Sequence, residues 1–508
     1  MWRSTGYSRL VATSIHRAAG AAGAAEVAEV VRMIPLSVAE IAKITGGTVT
    51  CMSGNADPYV TAPVVIDSRK AAPGALFAAL PGDRVDGHDY APAAVAAGAV
   101  AVLASRPLPE AGAPVIVVPD VTVALGRLAH AVLGRLPDAV IAAITGSAGK
   151  TSTKDLTAQL VERLGPTIAP EGNFNNELGL PLTVLRADAE TRYLILEMGA
   201  RGVGHIAALT EIARPRIGAV LRIGRAHAGE FGSTDAVAKA KGELVEALPA
   251  DGVAILNADD PNVAAMAART RARVVRFAAL PGGQASCPGP DAEVRAEEIQ
   301  LDDLGRPAFR LVMPGGSAQV ALRLHGAHHV SNALAAAAIA GELGMTVQAI
   351  AEALSEATAR SRRRMELRER ADGVLVLNDA YNANPDTVGV ALDALRHLAS
   401  GGRRGFAVLG HMTELGDIEV ASHYEVGKLA AQAGVTGLVV VGEQASPVLD
   451  GARAEPAWHG EAIAVPDGPA AVAALDNLLR PGDVVLVKAS NAAGLWEVAD
   501  GLLAEVDR

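Results

Sequence analysis

Aromatic side chains are scarce in this chain: Phe, Tyr and Trp make up 3% of 508 residues, while half of all residues are hydrophobic. Its cores must be packed from Ala, Val, Leu and Ile. The Val/Leu/Ile runs and the Ala-rich amphipathic stretches between them are the pattern of α/β layers on parallel sheets and speak against an all-β protein. Cysteine is nearly absent, with only Cys51 and Cys287 far apart in sequence, so there is neither a disulfide framework nor a cysteine metal site, and a reducing cytoplasm is the expected compartment. Basic charge is short as well, 45 Lys and Arg against 56 Asp and Glu for a net charge of −11. That balance argues against nucleic-acid and membrane-surface partners, which need a basic face. No uncharged apolar run reaches the roughly 18 to 20 residues a bilayer-spanning helix requires, so no membrane insertion is expected.

The first 32 residues carry Arg3, Arg9 and Arg17 and an AAGAAGAA stretch without a compact apolar segment. They read as a disordered extension or a start placed too early, with Met33 as the expected start. The length of the chain exceeds what one hydrophobic core supports. Composition and strand order predict units at 33–137, 138–359 and 360–508.

The stretch that organises the chain is VIAAITGSAGKTSTKD, from Val140 to Asp155. A buried strand breaks at Gly146 into the turn Gly146-Ser147-Ala148-Gly149-Lys150-Thr151-Ser152, which opens a helix. Glycines let backbone N–H groups converge on a phosphate, and the helix N-terminus adds partial positive charge. Lys150 can then reach the β/γ-phosphates and Thr151 can hold Mg²⁺. The spacing between the glycines is shorter than in the common form of this loop, so the assignment rests on the mechanism and on the Lys-Thr pair.

Other polar groups collect at predicted strand ends, where ligands sit in α/β sheets. Before residue 138 these are Asp67-Ser68-Arg69 and the loop from Pro81 to Asp89, which holds Asp83 and His88. Pro35 to Ala42 reads as a helix capped by Ser37, with Glu40 completing a capping box. The middle unit adds an amide-rich loop with Asn173, Asn175 and Asn176. It also has Glu197 ending the strand Tyr193–Leu196, where a carboxylate is placed to bind Mg²⁺. Then come His227 and a helix with Lys239 and Lys241, the polar terminus Asn257 to Pro261, and a His-rich run before the helix 333–343, which Ser331 could cap. Residues 281–320 read as irregular strands. The last unit reads as an open αβα sheet whose strand ends carry Asn378 to Asp386, Gly410-His411-Met412 and Lys488-Ala489-Ser490; its glycines form no dinucleotide fingerprint.

The ordered motifs TGSAGKTSTK, GNFNNELGLP, LEMG, the AH segment before FGS, AKAKGE, NADDP, HGAHHVSNALAA, RRME and NDAYNANPD resemble the Mur ligases from Met33 to the C-terminus. The resemblance implies a three-domain α/β protein. Its parts are a small N-terminal domain binding the UDP of a peptidoglycan precursor, a central P-loop ATPase with a mostly parallel sheet, and a Rossmann-like αβα domain for the incoming amino component. The Asn378 to Asp386 segment resembles the branch that adds D-alanyl-D-alanine to a UDP-MurNAc-tripeptide. Activity would run through ATP, Mg²⁺ and an acyl phosphate.

By the same resemblance Gly146, Ser147, Ala148, Gly149, Lys150, Thr151 and Ser152 cradle the phosphates. Thr151 and Glu197 hold one Mg²⁺, His227 helps hold a second metal, and Lys241 stands where relatives carry a carbamylated lysine. Asn332 is implied as the adenine contact, Arg364 as the arginine that reaches ATP (with Arg362 and Arg363 as neighbouring alternatives), and Asp379 as the ribose contact. Asp67, Ser68 and Arg69 match the UDP turn; Asn173, Asn175 and Asn176 match the loop shared by substrate and ATP; Tyr381, Asn382, Asn384 and Asp386 match the dipeptide site. A monomer acting in the cytoplasm is expected.

Arg222, His411 and Ala489-Ser490-Asn491 depart from the family pattern, the last two in the domain that would hold the dipeptide. Three rival readings are a ligase adding the third peptide residue, folylpolyglutamate synthase, and a protein using ATP only as a conformational signal. Tyr381 to Asn384 speak against the first, the Asp67-Ser68-Arg69 domain against the second, and Glu197, His227 and Lys241 together against the third.

Overall fold

The computed structural model describes residues 33–50, 57–82, 85–224, 231–279 and 292–504. The expectations for residues 1–32 and for Cys51, Asp83, His227 and Cys287 lie outside them. By contact the chain forms two compact units. One runs up to Ile141 and takes in Gly165–Met198 and Ala208–Pro215; the other holds Ala142–Leu164, Gly199–Ala207 and everything from Arg216 on.

The first unit holds a five-stranded sheet in the order Thr48–Thr50, Val115–Val117, Ala101–Ala104, Leu76–Ala78, Val64–Val65. Its last four strands run parallel, and Thr48–Thr50 is antiparallel to Val115–Val117. The predicted helix is present at Val38–Thr45 with Ser37 accepting from the Glu40 N–H. The reciprocal half of the expected capping box is not what Glu40 does; its carboxylate pairs with Arg135 instead. The unit also holds an antiparallel pair, Leu36–Ser37 with Tyr59–Val60, and a parallel pair, Thr167–Ile168 with Tyr193–Glu197, and all five residues of Tyr193–Glu197 are buried.

In the second unit the strand ending at Thr145 pairs in parallel with Ile217–Val220, which pairs with Val253–Asn257 and so on to Arg273–Ala278 and Val294–Leu301. Beyond it lie the antiparallel strands Pro307–Met313 and Gly316–Ala321. The region expected to be irregular is thus, in its described part, an ordered meander, turned by glycines at Gly305, Gly315 and Gly316 with φ of 70°, 99° and 138°. The helix His329–Glu342 starts earlier than expected. Ser331 is therefore inside its first turn and does not cap it; the N-cap position is His328.

The rest of this unit is a six-stranded sheet in the order Glu366–Glu369, Leu375–Asn378, Val484–Lys488, Gly405–Leu409, Gly437–Val441, Glu461–Val465, parallel except for its first strand. Both faces are covered. Leu375, Leu377, Ala407, Leu409, Leu438 and Val440 point into the core under helices Pro385–Leu398 and Glu419–Gln432, and the alternate residues Val376, Val408, Val439 and Val485 point into the core under Gly468–Leu478 and Trp496–Ala504. That period of two explains why these strands read as continuous apolar runs. Leu375–Asn378 leads to a helix on one face and its neighbour Val484–Lys488 to a helix on the other, so a crevice opens at their carboxyl ends.

Candidate active site

The phosphate loop leaves its strand through Gly146 at φ 157° and enters the helix Lys150–Val161 through Gly149 at φ 83°. The neighbouring strand end holds it from the side. Leu221 N–H donates to the Thr145 carbonyl at 3.0 Å and Ser147 N–H to the Arg222 carbonyl at 2.7 Å. Gly224 N–H donates to Ser147 Oγ at 2.9 Å. Lys150 Nζ donates to the Gly146 carbonyl across the loop at 2.8 Å, so its ammonium already lies over the cradle. Thr151 is buried in the first turn of the helix.

Asn332 stands behind this loop. Its Oδ1 accepts from Thr153 Oγ1 at 3.4 Å, and its amide nitrogen lies 3.4 Å from His329 Nδ1. A Cβ at Gly149 would fall 2.5 Å from that Oδ1, which is why a glycine closes the loop. His329 is buried and His328 half-buried, with ring centroids 4.2 Å apart. Burial pushes His328 down to about 4, opposed by Asp379 and reinforced by Lys488, and pushes His329 well below the usual imidazole range. Both rings are therefore neutral at pH 7.

At the crevice of the six-stranded sheet, Lys488 is 2% exposed and its ammonium bonds Asp379 Oδ2 at 2.6 Å and the Asn382 carbonyl at 2.8 Å. Asp379 Oδ1 accepts from the Met365 N–H at 3.1 Å. The three adjacent arginines have separate fates. Arg362 is exposed, Arg363 lies over the Trp496 ring at 3.7 Å, and Arg364 lies over the Tyr381 ring at 4.1 Å with its Nε buried and without a hydrogen-bond partner. Asn384 caps the helix Pro385–Leu398 in a full capping box with Thr387, and Asn382 Oδ1 accepts from Ala383 N–H. Asp386, in that helix's first turn, brings Oδ2 to 2.6 Å from where a Cβ on Gly224 would be, so this carboxylate lies beside the strand end that holds the phosphate loop. His411 pairs with Glu419 at 3.0 Å, and its carbonyl accepts from the Ser490 N–H.

Lys241 is buried on the helix Thr234–Glu246. Two residues on, Glu243 accepts from the Gly204 and Ala207 N–H groups at 2.5 and 3.0 Å. Between them Gly242 leaves room for Arg269, which donates to the carbonyls of Ala238 and Lys239.

In the first unit, Asn175 donates to the buried Glu197 carboxylate at 2.7 Å, and Asn176 Oδ1 accepts from the Leu178 and Gly179 N–H groups at the start of the helix Gly179–Val184. Asn173 is exposed. Asp67 and Arg69 face each other: the carboxylate takes both guanidinium bonds, at 2.9 and 2.7 Å, as well as the Arg69 N–H, and Arg69 holds its carboxyl below the usual range. Ser68 opens the short 3₁₀ turn that Asp67 caps. His88 is buried, with Nδ1 on Asp86 and Nε2 on Ser105, an arrangement that serves packing. Among the described residues no three His, Cys, Asp or Glu side chains group as a metal cluster. Thr151 in the second unit offers a buried hydroxyl and Glu197 in the first a buried carboxylate, each a hard oxygen donor of the kind that Mg²⁺ takes.

Three family models match in order: Mur ligase family, catalytic domain, at residues 62–132; Mur ligase middle domain at 144–340; and Mur ligase, glutamate ligase domain at 363–491. The UDP-N-acetylmuramoyl-tripeptide--D-alanyl-D-alanine ligase of Mycobacterium tuberculosis H37Rv is 50% identical over 92% of this chain and 98% of its own length. The chain belongs to the Mur ligase family. The Escherichia coli K12 ligase of the same name is 37% identical over 86% of this chain and 93% of its own. Among solved Mur ligases, a MurF crystal structure from Acinetobacter baumannii aligns with a TM-score of 0.80 at 30% identity, over 93% of this chain and 99% of that one. A Thermotoga maritima MurF ligase in complex with ADP aligns at 0.73 and 26% identity, over 88% and 98%. Within the Mur ligases the likeness is to the MurF type, and the three-domain α/β reading of the sequence holds.

Two residues that matter here carried only weak signals. Lys488 was legible as the polar end of an apolar strand, but nothing local pointed to Asp379. Trp496, under Arg363, opens the terminal helix Trp496–Ala504, and no motif in the sequence marks it.

Proposed function

We propose that the protein joins the terminal carboxylate of a UDP-MurNAc-tripeptide to the amine of D-alanyl-D-alanine at the expense of ATP. The observation that carries this reading is the phosphate loop, with Lys150 laid across it, in one compact unit with the Arg364–Tyr381 stack and the Asp379 crevice. The names borne by relatives that match over 92% and 86% of the chain support the choice of substrates.

A carboxylate is a poor acyl donor, so its oxygen first attacks the γ-phosphorus of ATP. The bond to the bridging oxygen breaks, and ADP leaves. The dipeptide nitrogen, having released its ammonium proton to solvent, attacks the acyl-phosphate carbonyl; the carbonyl C–O bond to phosphate breaks, and inorganic phosphate departs as the nitrogen loses its second proton to give the amide. Lys150 and the loop N–H groups offset the charge that spreads over the transferring phosphoryl oxygens. Arg364, held by its turn, offers a buried Nε–H donor to the nucleotide, and Asp379 faces the ribose. Asn332 supports the loop from behind and stands for the adenine contact. Tyr381, Asn382, Asn384 and Asp386 are assigned to the dipeptide. Asp67, Ser68 and Arg69 are assigned to the uridine end, and Asn173, Asn175 and Asn176 to the loop shared with the peptide. Thr151 and Glu197 would hold Mg²⁺, with His227 and Lys241 assigned to a second metal, the lysine as a carbamate. Bound there, the metal would neutralise phosphate charge. Domain limits at 137/138 and 359/360, a monomer and a cytoplasmic place of action belong to the same reading. No helix among the described residues is long and apolar enough to cross a membrane.

Phosphate release in the presence of UDP-MurNAc-tripeptide tests the reading, with D-Ala-D-Ala compared against single amino acids and against folate plus glutamate. Turnover with the dipeptide is expected; turnover only with a single amino acid overturns it. A Lys241→Ala variant that kept full activity would remove the carbamate.

A further inference from the structure

Lys488 ends the central strand of the six-stranded sheet, and it is among the largest side chains in the molecule that are fully buried. An ammonium with three protons, taken out of water, needs three acceptors. It has them: Asp379 Oδ2 at 2.6 Å, the Asn382 carbonyl at 2.8 Å and the Asp379 carbonyl at 3.4 Å. All three belong to the segment Asp379–Asn382, and Tyr381 lies between the two residues that are gripped.

The second oxygen of Asp379 continues the chain of contacts, accepting from Met365 N–H at 3.1 Å. Met365 and Arg363 both sit in the left-handed region, at φ 52° and 62°, which non-glycine residues keep only when the surroundings impose it. Two bonds impose it here: Asp379 on the Met365 N–H and Glu366 Oε2 on the Arg363 N–H at 3.0 Å. Arg364, between these two residues, is thereby presented to the Tyr381 ring at 4.1 Å. One ammonium therefore anchors Tyr381 through the backbone on either side of it, and anchors the Arg364 turn through Asp379.

We propose that Lys488 is the positioning residue that holds Arg364 and Tyr381 in one fixed relation, and so couples the nucleotide contact to the dipeptide contact. The proposal rests on the function given above for those two residues, but its structural half does not. Arg363 covers the Trp496 ring in the same turn, so Trp496 reports on the turn directly. The chain has three tryptophans, Trp2, Trp458 and Trp496, and a Trp2→Phe, Trp458→Phe background leaves Trp496 alone.

In that background, Lys488→Met is expected to shift Trp496 emission and to raise its quenching by acrylamide. In steady-state kinetics, Lys488→Met is expected to raise the KM for ATP and the KM for D-Ala-D-Ala together, to lower kcat on the order of 100-fold, and to leave the KM for the UDP precursor unchanged. A purely structural lysine would lower the melting temperature and the yield of active enzyme while both KM values and Trp496 quenching stayed as in the parent; that result overturns the proposal. If Lys488→Met does not fold, Lys488→Met with Asp379→Asn removes the stranded carboxylate, and unchanged Trp496 quenching there overturns it equally. If the parent enzyme does not turn over these substrates, the function reading fails, and the fluorescence still decides the positioning role.

Discussion

Asn332 Oδ1 stands 2.5 Å from the point that a Cβ on Gly149 would occupy, so the phosphate loop closes against a side chain that comes from another helix 183 positions on. Gly149→Ala would meet that clash and a φ of 83° at once. We expect a loss of about 1 to 3 kcal/mol in stability and a weakening of ADP binding on the order of 100-fold or more. Calorimetric titration with ADP beside a thermal melt checks both; unaltered ADP affinity would show that the loop does not depend on this closure.

Gly242 poses a similar test away from the loop. A Cβ there would fall 2.0 Å from the guanidinium of Arg269. Gly242→Ala should therefore destabilise, while in an Arg269→Ala background the same change should cost far less, because the group it collides with is gone. The two denaturant midpoints and that of the double variant close the cycle, and simple additivity would contradict it.

Acid should undo the histidine cluster. Burial lowers His325, His328 and His329, His328 to about 4 against an unfolded value of 6.5. Because the folded values lie below the unfolded one, the unfolded chain takes up more protons in that window. Their contribution is complete above pH 6.5 and shrinks as the pH falls toward 4. For His328 it amounts to on the order of 3 kcal/mol. Melting temperatures from pH 8 to 4 should stay level and then decline below 6.5, more gently in His328→Gln.

Asn175 donates to Glu197 at 2.7 Å, a bond to a buried carboxylate. If Glu197 serves Mg²⁺, Asn175→Ala should raise the Mg²⁺ concentration for half-maximal turnover several-fold, with a stability cost of about 1 to 3 kcal/mol. A titration of activity against Mg²⁺ separates this from a general loss. An unmoved midpoint would detach Asn175 from the metal.

What could be read beforehand was whatever is written locally. The phosphate loop, the helix behind it and the buried strands at Tyr193–Glu197, Gly405–Leu409 and Gly437–Val441 each announce themselves within a few residues, by glycine placement or an unbroken apolar run. The strand Glu366–Glu369 carries no such signal, because three of its four residues are charged and none is buried; only pairing with Leu375–Asn378 makes it a strand. A capping motif alone does not settle what its residues do: Glu40 pairs with Arg135, and the helix next to Ser331 starts at His329, ahead of it. Lys488 is the extreme case, since its main partner lies 109 positions away and its own neighbourhood says only that a strand ends there. Asp67 and Arg69 were legible as a turn, but not the fact that each occupies the other.

The far end of the phosphate-loop helix has a second attachment. Gln159 exchanges two hydrogen bonds of 3.0 Å with Thr358, and Glu162 takes both guanidinium nitrogens of Arg360 at 2.5 Å. Thr358 and Arg360 lie in the short connection that leads into the six-stranded sheet. The helix that carries Lys150 at its head is therefore a strut moored at its foot to the joint between two sheets. Between that joint and the phosphate loop there is one helix of twelve residues and no intervening loop.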